Sequence, residues 1–492
     1  MAYNKKGGQI VSMVVHSFYF KQMRRFTHYI LLLALLFPTL LASCSDEEAF
    51  TTDRNAVVTF SQDVVSFDTV FAGISSSTKR LMVYNRNDKG VRIKNAKLLS
   101  DGASGFKMNI DGQFGTSLDD IEVLSNDSIF IFLEVNAPQQ ATNAPTLFSD
   151  AIVFTMESGV QQTVTLEAYG QNVQIFNDVR IENDCTLDNS IPYLIRDSLV
   201  VEEGATLTLS EGTTLHFHNG ASLLVHGKLA INGTLEHPVT LRGDRLDRIF
   251  SYLPYDRLDN QWGGIYLSPS CTGCEINHAD IHSGNFGIKG DKVQGDIDIQ
   301  NTVIHNVAGD ALCLTDCKAL VANTQISNSK GNCVSIYGGT ADFYFCTLAQ
   351  FYPWSGDRGN ALYVSNYKDE EEHLVESANF FNCFVTGYAD DEVFGNPGEQ
   401  PLNIRFDHCV LLTDTSDPTY FNECTAESKD FERYKDSNFL LVDTDNYMYD
   451  FHLDEFSTAR NRGSAIYSQL YPTDHDGTPR TDATDVGCYQ AK

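Results

Sequence analysis

Two histidines at equivalent positions of neighbouring repeats are the residues of this sequence best suited to acid–base chemistry. His282 ends the segment EINHADIH, and His305 lies in the segment IQNTVIHN. If Ile281 and Ile304 point into a core, the histidines that follow them point outward, about 4.8 Å apart on adjacent strands. Imidazole accepts and donates protons near neutral pH, so this pair is a candidate general base.

The cations Lys330 and Arg358 complete a candidate catalytic set with these histidines. Removal of the C5 proton from a uronate sugar needs a base and a cation that neutralises the sugar carboxylate. Either histidine together with either cation would supply both groups. These four residues are therefore our candidates for polysaccharide lyase chemistry.

Hydrolysis of a glycosidic bond would need a different arrangement, with carboxylates facing one groove. Asp310 and Asp316 flank one predicted strand, but the sequence there is GDALC and not a pair of adjacent aspartates. The alternative to both reactions is that stacked polar residues form a solvated ladder on the outside of a repeat structure. We favour this alternative over either enzyme.

Aromatic residues in two insertions are candidates for binding sugar rings. The insertion RGDRLDRIFSYLPYDRLDNQ contains Tyr252 and Tyr255, and the insertion QFYPWSGDR contains Tyr352 and Trp354. Aromatic faces beside polar groups suit stacking against sugars, and binding residues collect on loops of rigid scaffolds. The same side chains could instead cover the core or an exposed strand edge.

The sequence predicts neither a metal site nor a cofactor. His216 and His218 lie on one face of a predicted strand, as two metal-binding imidazoles would, but exposed strand histidines are far more common. The acidic C-terminal region could bind Ca²⁺, yet it contains no loop of the EF-hand type.

These candidates must be positioned by a repeat that recurs every 22 or 23 residues. When four segments are aligned, one column contains His278, Asn301, Asn323 and Cys346. A second column, three residues on, contains Ile281, Ile304, Ile326 and Ala349. Repeats of this length cannot bury an apolar face alone, so they stack as the coils of a solenoid. The pattern predicts a parallel β-helix.

Residues 190–490 resemble the right-handed parallel β-helix family of secreted and surface proteins. The resemblance rests on GATLTLSEGTTLHFHNGASLLVHGKLAINGT, on the turns GNFGI, GDALCL, GNCVSI and GNALYV, and on the segment NFLLVDTDNYMYDFHLDEFSTARNRGS. It implies that residues 173–492 form stacked coils with a C-terminal cap. The fold includes polysaccharide lyases, glycoside hydrolases, adhesins and proteins without known activity, so it does not define a function.

The segment MRRFTHYILLLALLFPTLLASC, from Met23 to Cys44, resembles a bacterial lipoprotein signal peptide. The resemblance implies cleavage before Cys44, lipidation of its thiol, removal of residues 1–43 and a true start at Met23. A transmembrane anchor is the alternative, but the apolar run is short for a span. We expect residues 44–56 to be a lipidated tether at the outer membrane of a Gram-negative cell, with the protein exposed on the surface.

Residues 57–172 contain short alternating segments separated by turn residues, which predicts a β-sandwich. The segments SFDTVFAG and TVTLEAYGQN resemble Ig-like domains of the ASPM/SPD-2/Hydin and major-sperm-protein type. The resemblance implies a spacer or docking module. We therefore predict an all-β chain, with an N-terminal Ig-like β-sandwich followed by a right-handed parallel β-helix.

Charge and cysteine content restrict the partners and the environment. The 492 residues carry a formal net charge of −30, which argues against a nucleic-acid partner and disfavours polyanions away from a local basic patch. Cys44 is one of 12 cysteines, so the remaining odd number cannot all pair within the chain. Cys383 and Cys409 lie at like positions, which predicts a ladder of buried thiols.

The sequence therefore predicts a lipid-anchored envelope protein whose β-helix binds a glycan or another surface partner without catalysis. The alternative is a polysaccharide lyase or glycoside hydrolase that acts in a groove of the β-helix. Convergence of His, Lys and Arg side chains in one cleft would favour the enzyme, and isolated polar ladders would favour binding.

Overall fold

The computed structural model describes residues 49–427, 438–481 and 484–491. The predicted leader, residues 1–43, and the predicted lipidation site, Cys44, lie outside the described residues. Within the described ranges, no helix has the length and apolar character needed to cross a membrane. The described chain is almost entirely β-structure, with a sandwich followed by a parallel β-helix, and this confirms the predicted fold class.

The sandwich consists of two sheets. Its strands are β1 (Phe50–Thr51), β2 (Thr59–Phe60), β3 (Val64–Phe71), β4 (Lys79–Tyr84), β5 (Gly90–Leu98), β6 (Phe106–Ile110), β7 (Gln113–Gly115), β8 (Ser117–Val123), β9 (Ser128–Val135), β10 (Thr146–Met156) and β11 (Gln161–Gln171). One sheet has the order β1-β5-β10-β11-β3, with β8 paired to β5, and the other has the order β2-β4-β9-β6-β7. Strand β1 pairs with β5, so the end of the segment 44–56, predicted to be a tether, belongs to the sandwich.

Alternating side chains build the core of the sandwich, because successive residues of a strand point to opposite faces. In β9, the side chains of Ile131, Leu133 and Val135 are buried, whereas those of Phe130 and Phe132 are exposed. The inward residues of both sheets form one apolar cluster, as two sheets packed face to face require.

The β-helix follows directly. Its strands are β12 (Gln174–Phe176), β13 (Val179–Ile181), β14 (Cys185–Leu187), β15 (Tyr193–Ile195), β16 (Leu199–Val201), β17 (Thr206–Ser210), β18 (Thr214–Phe217), β19 (Leu223–Val225), β20 (Lys228–Asn232), β21 (Val239–Gly243), β22 (Arg248–Phe250), β23 (Leu253–Pro254), β24 (Ile265–Leu267), β25 (Gly273–Asn277), β26 (Ala279–His282), β27 (Ile288–Asp291), β28 (Asp296–Gln300), β29 (Val303–Val307), β30 (Leu312–Ala322), β31 (Gln325–Ser329), β32 (Val334–Tyr344), β33 (Thr347–Gln350), β34 (Leu362–Ser365), β35 (Tyr367–Lys368), β36 (Glu371–Glu372), β37 (Val375–Phe381), β38 (Phe384–Gly387), β39 (Val393–Asn396), β40 (Ile404–Asp407), β41 (Val410–Leu411), β42 (Phe421–Asn422) and β43 (Thr425–Ala426). A short 3₁₀ helix spans Tyr255–Arg257.

Two long parallel sheets run along the β-helix. The first, which we call the histidine sheet, has the order β12-β15-β18-β21-β26-β29-β31-β33-β38-β41-β43. The second, the wide sheet, begins with β13-β14-β16 and ends with β39-β40-β42. In a typical coil, β24, β25 and β26 pair in parallel with β27, β28 and β29 of the next coil. Each coil thus stacks on its neighbour in fixed register, as expected of a solenoid.

The predicted core column is correct for three coils and wrong by one residue in the fourth. Ile281, Ile304 and Ile326 pair in sequence across the histidine sheet, as predicted. The next partner is Leu348, not Ala349, so the coil keeps a period of 22 residues where the alignment assumed 23.

The residues at the turn position of each coil explain why the alignment was wrong by one residue. His278, Asn301 and Asn323 have φ angles of 50°, 48° and 49°, and the equivalent residue of the next coil is Phe345, with a φ angle of 51°. The alignment had assigned Cys346 to this position. Left-handed backbone favours Asn and disfavours a bulky side chain, so an aromatic residue hides the turn from sequence patterns.

Small side chains follow each turn residue and form the predicted thiol ladder. Cys346, Cys383 and Cys409 are buried in successive coils. The backbone N–H of Cys346 donates to Sγ of Cys383 at 3.5 Å, and that of Cys383 donates to Sγ of Cys409 at 3.3 Å. None of the cysteines in the described part of the chain forms a disulfide. The buried thiols of this ladder fill small volumes of the core.

The C-terminal segment returns along the outer face of the histidine sheet. It contains β44 (Phe439–Asp443), β45 (Met448–Leu453) and a short helix, α1 (Ala465–Ser468). The hydroxyl of Tyr489 donates to Oε1 of Gln325 at 2.9 Å, and the N–H of Cys488 donates to Oγ1 of Thr347 at 3.0 Å. The segment therefore covers β31, β33 and β38, whereas the sandwich covers the other end of the sheet at Phe71 and His216.

Candidate functional site

A cleft of about 940 Å³ lies between these two covers, on the outer face of the histidine sheet. Its walls come from the sandwich, from the β-helix and from the loop between β21 and β24. Lining residues that carry polar or charged groups include Asp68, Gln171, His216, Arg242, Asp256, Arg257, Asp280, His282 and His305. The cleft thus depends on the contact between the two parts of the chain, which sequence periodicity does not predict.

Four basic or imidazole side chains occupy equivalent positions on consecutive strands of the histidine sheet. His216 on β18 pairs with Arg242 on β21. Leu241 pairs with Ile281, so the residues that follow them, Arg242 and His282, are neighbours on β21 and β26. His282 then pairs with His305 on β29. The inward isoleucines predicted the outward direction of His282 and His305, and the structure shows it.

Asp280 joins the two predicted histidines. Its Oδ1 lies 2.9 Å from Nδ1 of His282 and 3.1 Å from Nε2 of His305. The two imidazole rings stack with centroids 4.8 Å apart and an interplanar angle of 29°. His282 is buried, while His305 and Asp280 are partly open to the cleft. The peptide carbonyl of His282 also accepts a hydrogen bond from Nε1 of Trp262, which fixes the end of β26.

The electrostatics of the cluster follow from burial and from these contacts. Burial raises the pKa of the Asp280 carboxyl, but the two histidines outweigh it and hold that pKa well below its usual range. Burial lowers the pKa of His282 and lowers that of His216 to about 3. The cluster therefore keeps the Asp280 carboxylate ionised between the two imidazoles.

Arg242 is the cleft cation that lies in the register column of the histidines, and sequence reasoning did not select it. Its guanidinium donates to the carbonyl oxygens of Gly243 and Arg245 and forms an ion pair of 3.5 Å with Asp256. The signal that could have identified it is register, because Arg242 stands one residue after the inward Leu241.

The predicted cations Lys330 and Arg358 do not line this cleft. Lys330 is exposed on the turn after β31, where its carbonyl oxygen accepts a hydrogen bond from the N–H of Gly359. The guanidinium carbon of Arg358 lies 4.9 Å from the ring centre of Tyr388. The structure thus brings together two of the four predicted catalytic residues and places the other two elsewhere.

The predicted sugar-binding aromatics fall into two groups. Tyr352 is 4% exposed, and its hydroxyl donates to Asp259, so its ring is not available for stacking against a sugar. For Tyr352, the structure agrees with the alternative interpretation, in which the side chain covers the core, and not with glycan binding. The ring of Tyr255 is half-buried, with the guanidinium carbon of Arg245 3.9 Å from its centre.

Tyr252 and Trp354 belong to a group that we call the aromatic ridge, formed by the exposed Phe250, Tyr252 and Trp354 and the half-buried Tyr447. The rings of Phe250 and Tyr252 stack with centroids 5.7 Å apart, and those of Trp354 and Tyr447 stack at 3.9 Å. Arg257 connects the pairs, since Nη1 donates to the carbonyl oxygens of Tyr252 and of Asn446, the residue before Tyr447. Arg257 also lines the cleft, so the ridge borders its rim.

Comparison with known proteins assigns no family. No protein-family model matches the chain, and no curated protein matches it. Among solved structures, a family 123 glycoside hydrolase from Clostridium perfringens is similar over 23% of this chain and 26% of its own, with 9% identity and a TM-score of 0.17. The chain thus spans about a quarter of that enzyme.

Two further solved structures have similarly low TM-scores. The PapD-like domain 7 of human CEP192 is similar over 24% of this chain and 85% of its own, with 12% identity and a TM-score of 0.16. Dex49A from Penicillium minioluteum is similar over 69% of this chain and 66% of its own, with 10% identity and a TM-score of 0.17. Scores this low carry no argument about activity, which must come from the site itself.

Proposed function

We propose that this protein is a lipid-anchored protein of the cell envelope that binds a polysaccharide along the aromatic ridge and the adjoining cleft. The observation that carries the proposal is the pair of ring stacks, the exposed Phe250 and Tyr252 and the exposed Trp354 on the half-buried Tyr447, at the rim of a polar cleft. Sugar rings present apolar C–H faces that pack on aromatic rings, while their hydroxyl groups need polar partners.

The ridge lies on segments between the strands of the two long sheets. Phe250 and Tyr252 are 56% and 50% exposed on the β22–β23 hairpin, and Trp354 is 37% exposed after β33. Unpaired aromatic side chains at such exposure would be costly in water, and stacking in pairs reduces but does not remove that cost. Contact with a sugar chain would cover the remaining faces.

Binding to a panel of neutral and acidic polysaccharides tests this proposal, with the purified full-length protein in detergent and isothermal titration calorimetry as the readout. Trp354→Ala and Tyr252→Ala should each weaken binding at least about fivefold, because one stacked ring contributes roughly 1 kcal/mol or more beyond its area. The matched control is Phe114→Ala, which removes a 76% exposed ring from the sandwich. Unchanged affinity in both ridge variants would contradict the proposal.

The membrane anchor has a separate test. Cys44→Ser should abolish incorporation of labelled fatty acid and release the protein into the soluble fraction, if the thiol carries the lipid. Cys185→Ser is the control, because that thiol lies in the folded β-helix. Lipid labelling that persists in Cys44→Ser would refute the anchor.

A second candidate function is an enzyme, a polysaccharide lyase or glycoside hydrolase, and the cleft favours it. Arg242 supplies a cation next to the imidazoles of His282 and His305, which is the combination that elimination from a uronate requires. Hydrolysis fits less well, because Asp280 has a lowered pKa and is unsuited to act as a general acid.

Turnover of uronate polymers, followed by the absorbance of unsaturated products and by reducing ends, tests the enzyme. Arg242→Met should abolish elimination, and Arg180→Met, in an exposed ion pair with Glu202, is the control. Glycan binding without either product would leave the protein a binding module.

A further inference from the structure

We propose that Asp280, His282 and His305 form a binding site for a divalent transition-metal ion of the zinc class. Each residue offers one ligand atom, and these three atoms lie within 4.8 Å of one another. Imidazole nitrogen and carboxylate oxygen are ligands that zinc and its neighbours in the transition series prefer.

The separations of the ligand atoms, now bridged by hydrogen bonds, are close to those around a metal ion. Metal–ligand bonds of about 2.0–2.2 Å place the ligand atoms of a tetrahedral site roughly 3.3 Å apart. Oδ1 of Asp280 lies 2.9 Å from Nδ1 of His282 and 3.1 Å from Nε2 of His305. Around an ion these two contacts would lengthen by a few tenths of an ångström, and the two imidazole nitrogens, which lie within 4.8 Å of each other, would stand about 3.3 Å apart.

The scaffold holds the three ligands without loops. Asp280 and His282 stand two residues apart on one face of β26, and His305 is the register partner of His282 on β29. Ring stacking between the imidazoles fixes their planes. Ligands placed on paired strands lose little conformational freedom on binding, which favours tight coordination.

The surroundings leave room for further ligands on the cleft side. Two histidines and one carboxylate fill three positions of a metal, and the remaining positions would face the cleft, open to water or to an oxygen of a bound molecule. His216 lines the same cleft, is 6% exposed, and its Nδ1 lacks a hydrogen-bond partner among the described residues. Arg242, the nearest cation in register, is held by two carbonyl oxygens and by Asp256.

This site goes beyond glycan binding at the aromatic ridge and does not depend on it. If the cleft is also catalytic and holds a metal ion, the two imidazoles would be ligands of that ion and would not act as free bases. Sensitivity of turnover to a chelator would then separate the two roles, while metal binding itself is measured without any glycan.

Titration of chelator-treated, full-length protein with Zn²⁺, and with Co²⁺ for its visible absorption, tests the site. We expect one ion per chain, a dissociation constant at or below about 1 μM, and Co²⁺ bands typical of nitrogen and oxygen ligands. Asp280→Asn and His305→Gln should each weaken binding at least about tenfold. Circular dichroism of the metal-free variants checks that they fold.

A matched control comes from a second His–Asp pair. His218 and Asp244 lie 2.6 Å apart on the same part of the β-helix, but they are not in the three-ligand group. His218→Gln should leave affinity and stoichiometry unchanged. Absence of saturable binding, or binding that survives both Asp280→Asn and His305→Gln in folded protein, would overturn the proposal.

Discussion

The guanidinium carbon of Arg480 lies 3.7 Å from the ring centre of Phe345. Phe345 occupies the left-handed turn position that Asn301 and Asn323 fill in the preceding coils. Nη2 of Arg480 donates to Oδ1 of Asn323 at 2.8 Å and to the carbonyl oxygen of Gly487. Phe345 therefore ends the row of asparagine side chains at this turn position. Arg480, from the C-terminal segment, takes the next place in the row, because it bonds to Asn323 and packs on Phe345.

Replacement of Arg480 tests what this contact contributes. Arg480→Ala should lower the free energy of unfolding by about 2–4 kcal/mol, because it uncovers the buried ring and removes the hydrogen bond to Oδ1 of Asn323. Arg480→Met keeps the apolar cover and removes a buried charge, so it should cost about 1 kcal/mol or less. Urea denaturation followed by circular dichroism measures both, and equal losses would show that packing on Phe345 is unimportant.

An asparagine at this turn position stabilises the protein both through its backbone conformation and through its side-chain hydrogen bonds. Variants of Asn301 separate the two contributions. Nδ2 of Asn301 donates to Oδ1 of Asn277 at 2.9 Å, and the φ angle of Asn301 is 48°. Asn301→Gly should cost only the side-chain bonds, about 1 kcal/mol. Asn301→Ala should cost about 1–2 kcal/mol more, since alanine disfavours left-handed backbone. Chemical denaturation of the pair gives the difference directly, and equal stabilities would refute backbone strain as the cause.

The thiol ladder should resist alkylation in the folded protein. Burial raises the pKa of Cys383 and of Cys409 well above the ordinary value, and each unit lowers the thiolate fraction about tenfold. At pH 8 we expect iodoacetamide to label the half-buried Cys185 first and the ladder only after unfolding. Peptide mapping by mass spectrometry identifies each site. Labelling of Cys383 at the rate of Cys185 would contradict the buried ladder.

Glu392 should make stability fall as the pH rises towards neutrality. Burial raises its pKa from 4.5 to about 7. The folded protein then keeps a proton that the unfolded chain releases, so this contribution is full below about pH 4.5 and is lost by about pH 7. The change amounts to at most about 3 kcal/mol.

Urea midpoints at pH 5, 6, 7 and 8 measure this effect. Glu392→Gln should flatten the profile in that window, whereas exposed Glu399→Gln should leave it unchanged. A Glu392→Gln profile as steep as that of the parent protein would assign the pH dependence to other groups. The test remains valid if Glu392→Gln is less stable at every pH, because only the change of the urea midpoint with pH is compared.

Much of the β-helix could be predicted from the sequence because each coil repeats the same local requirements. Alternating apolar residues predicted the inward Ile281 and Ile304, and with them the outward histidines. The prediction was wrong where one residue broke the rule, since Phe345 hides the turn and shifts Cys346 and Ala349 by one position.

The site was only partly accessible to the same reasoning. Arg242 lies in the register column of the predicted histidines, and Asp280 stands two residues before His282 on the same face of β26, so strand pairing and alternation could have added both. The cleft could not be predicted, because it requires the sandwich to contact the β-helix near His216. Tyr352 was misassigned for a related reason, since its burial depends on contacts with a distant loop through Asp259.

The return of the C-terminal segment along the histidine sheet has a consequence for synthesis. Nδ2 of Asn323 donates to the carbonyl oxygen of Thr473, 150 residues later, and Tyr489 reaches Gln325 across 164 residues. At ordinary translation speeds these partners emerge from the ribosome roughly 10–30 s apart. During that interval the middle coils can form their core, but the C-terminal segment does not yet cover the outer face of the histidine sheet. A chaperone that binds the incomplete chain would therefore contact this face.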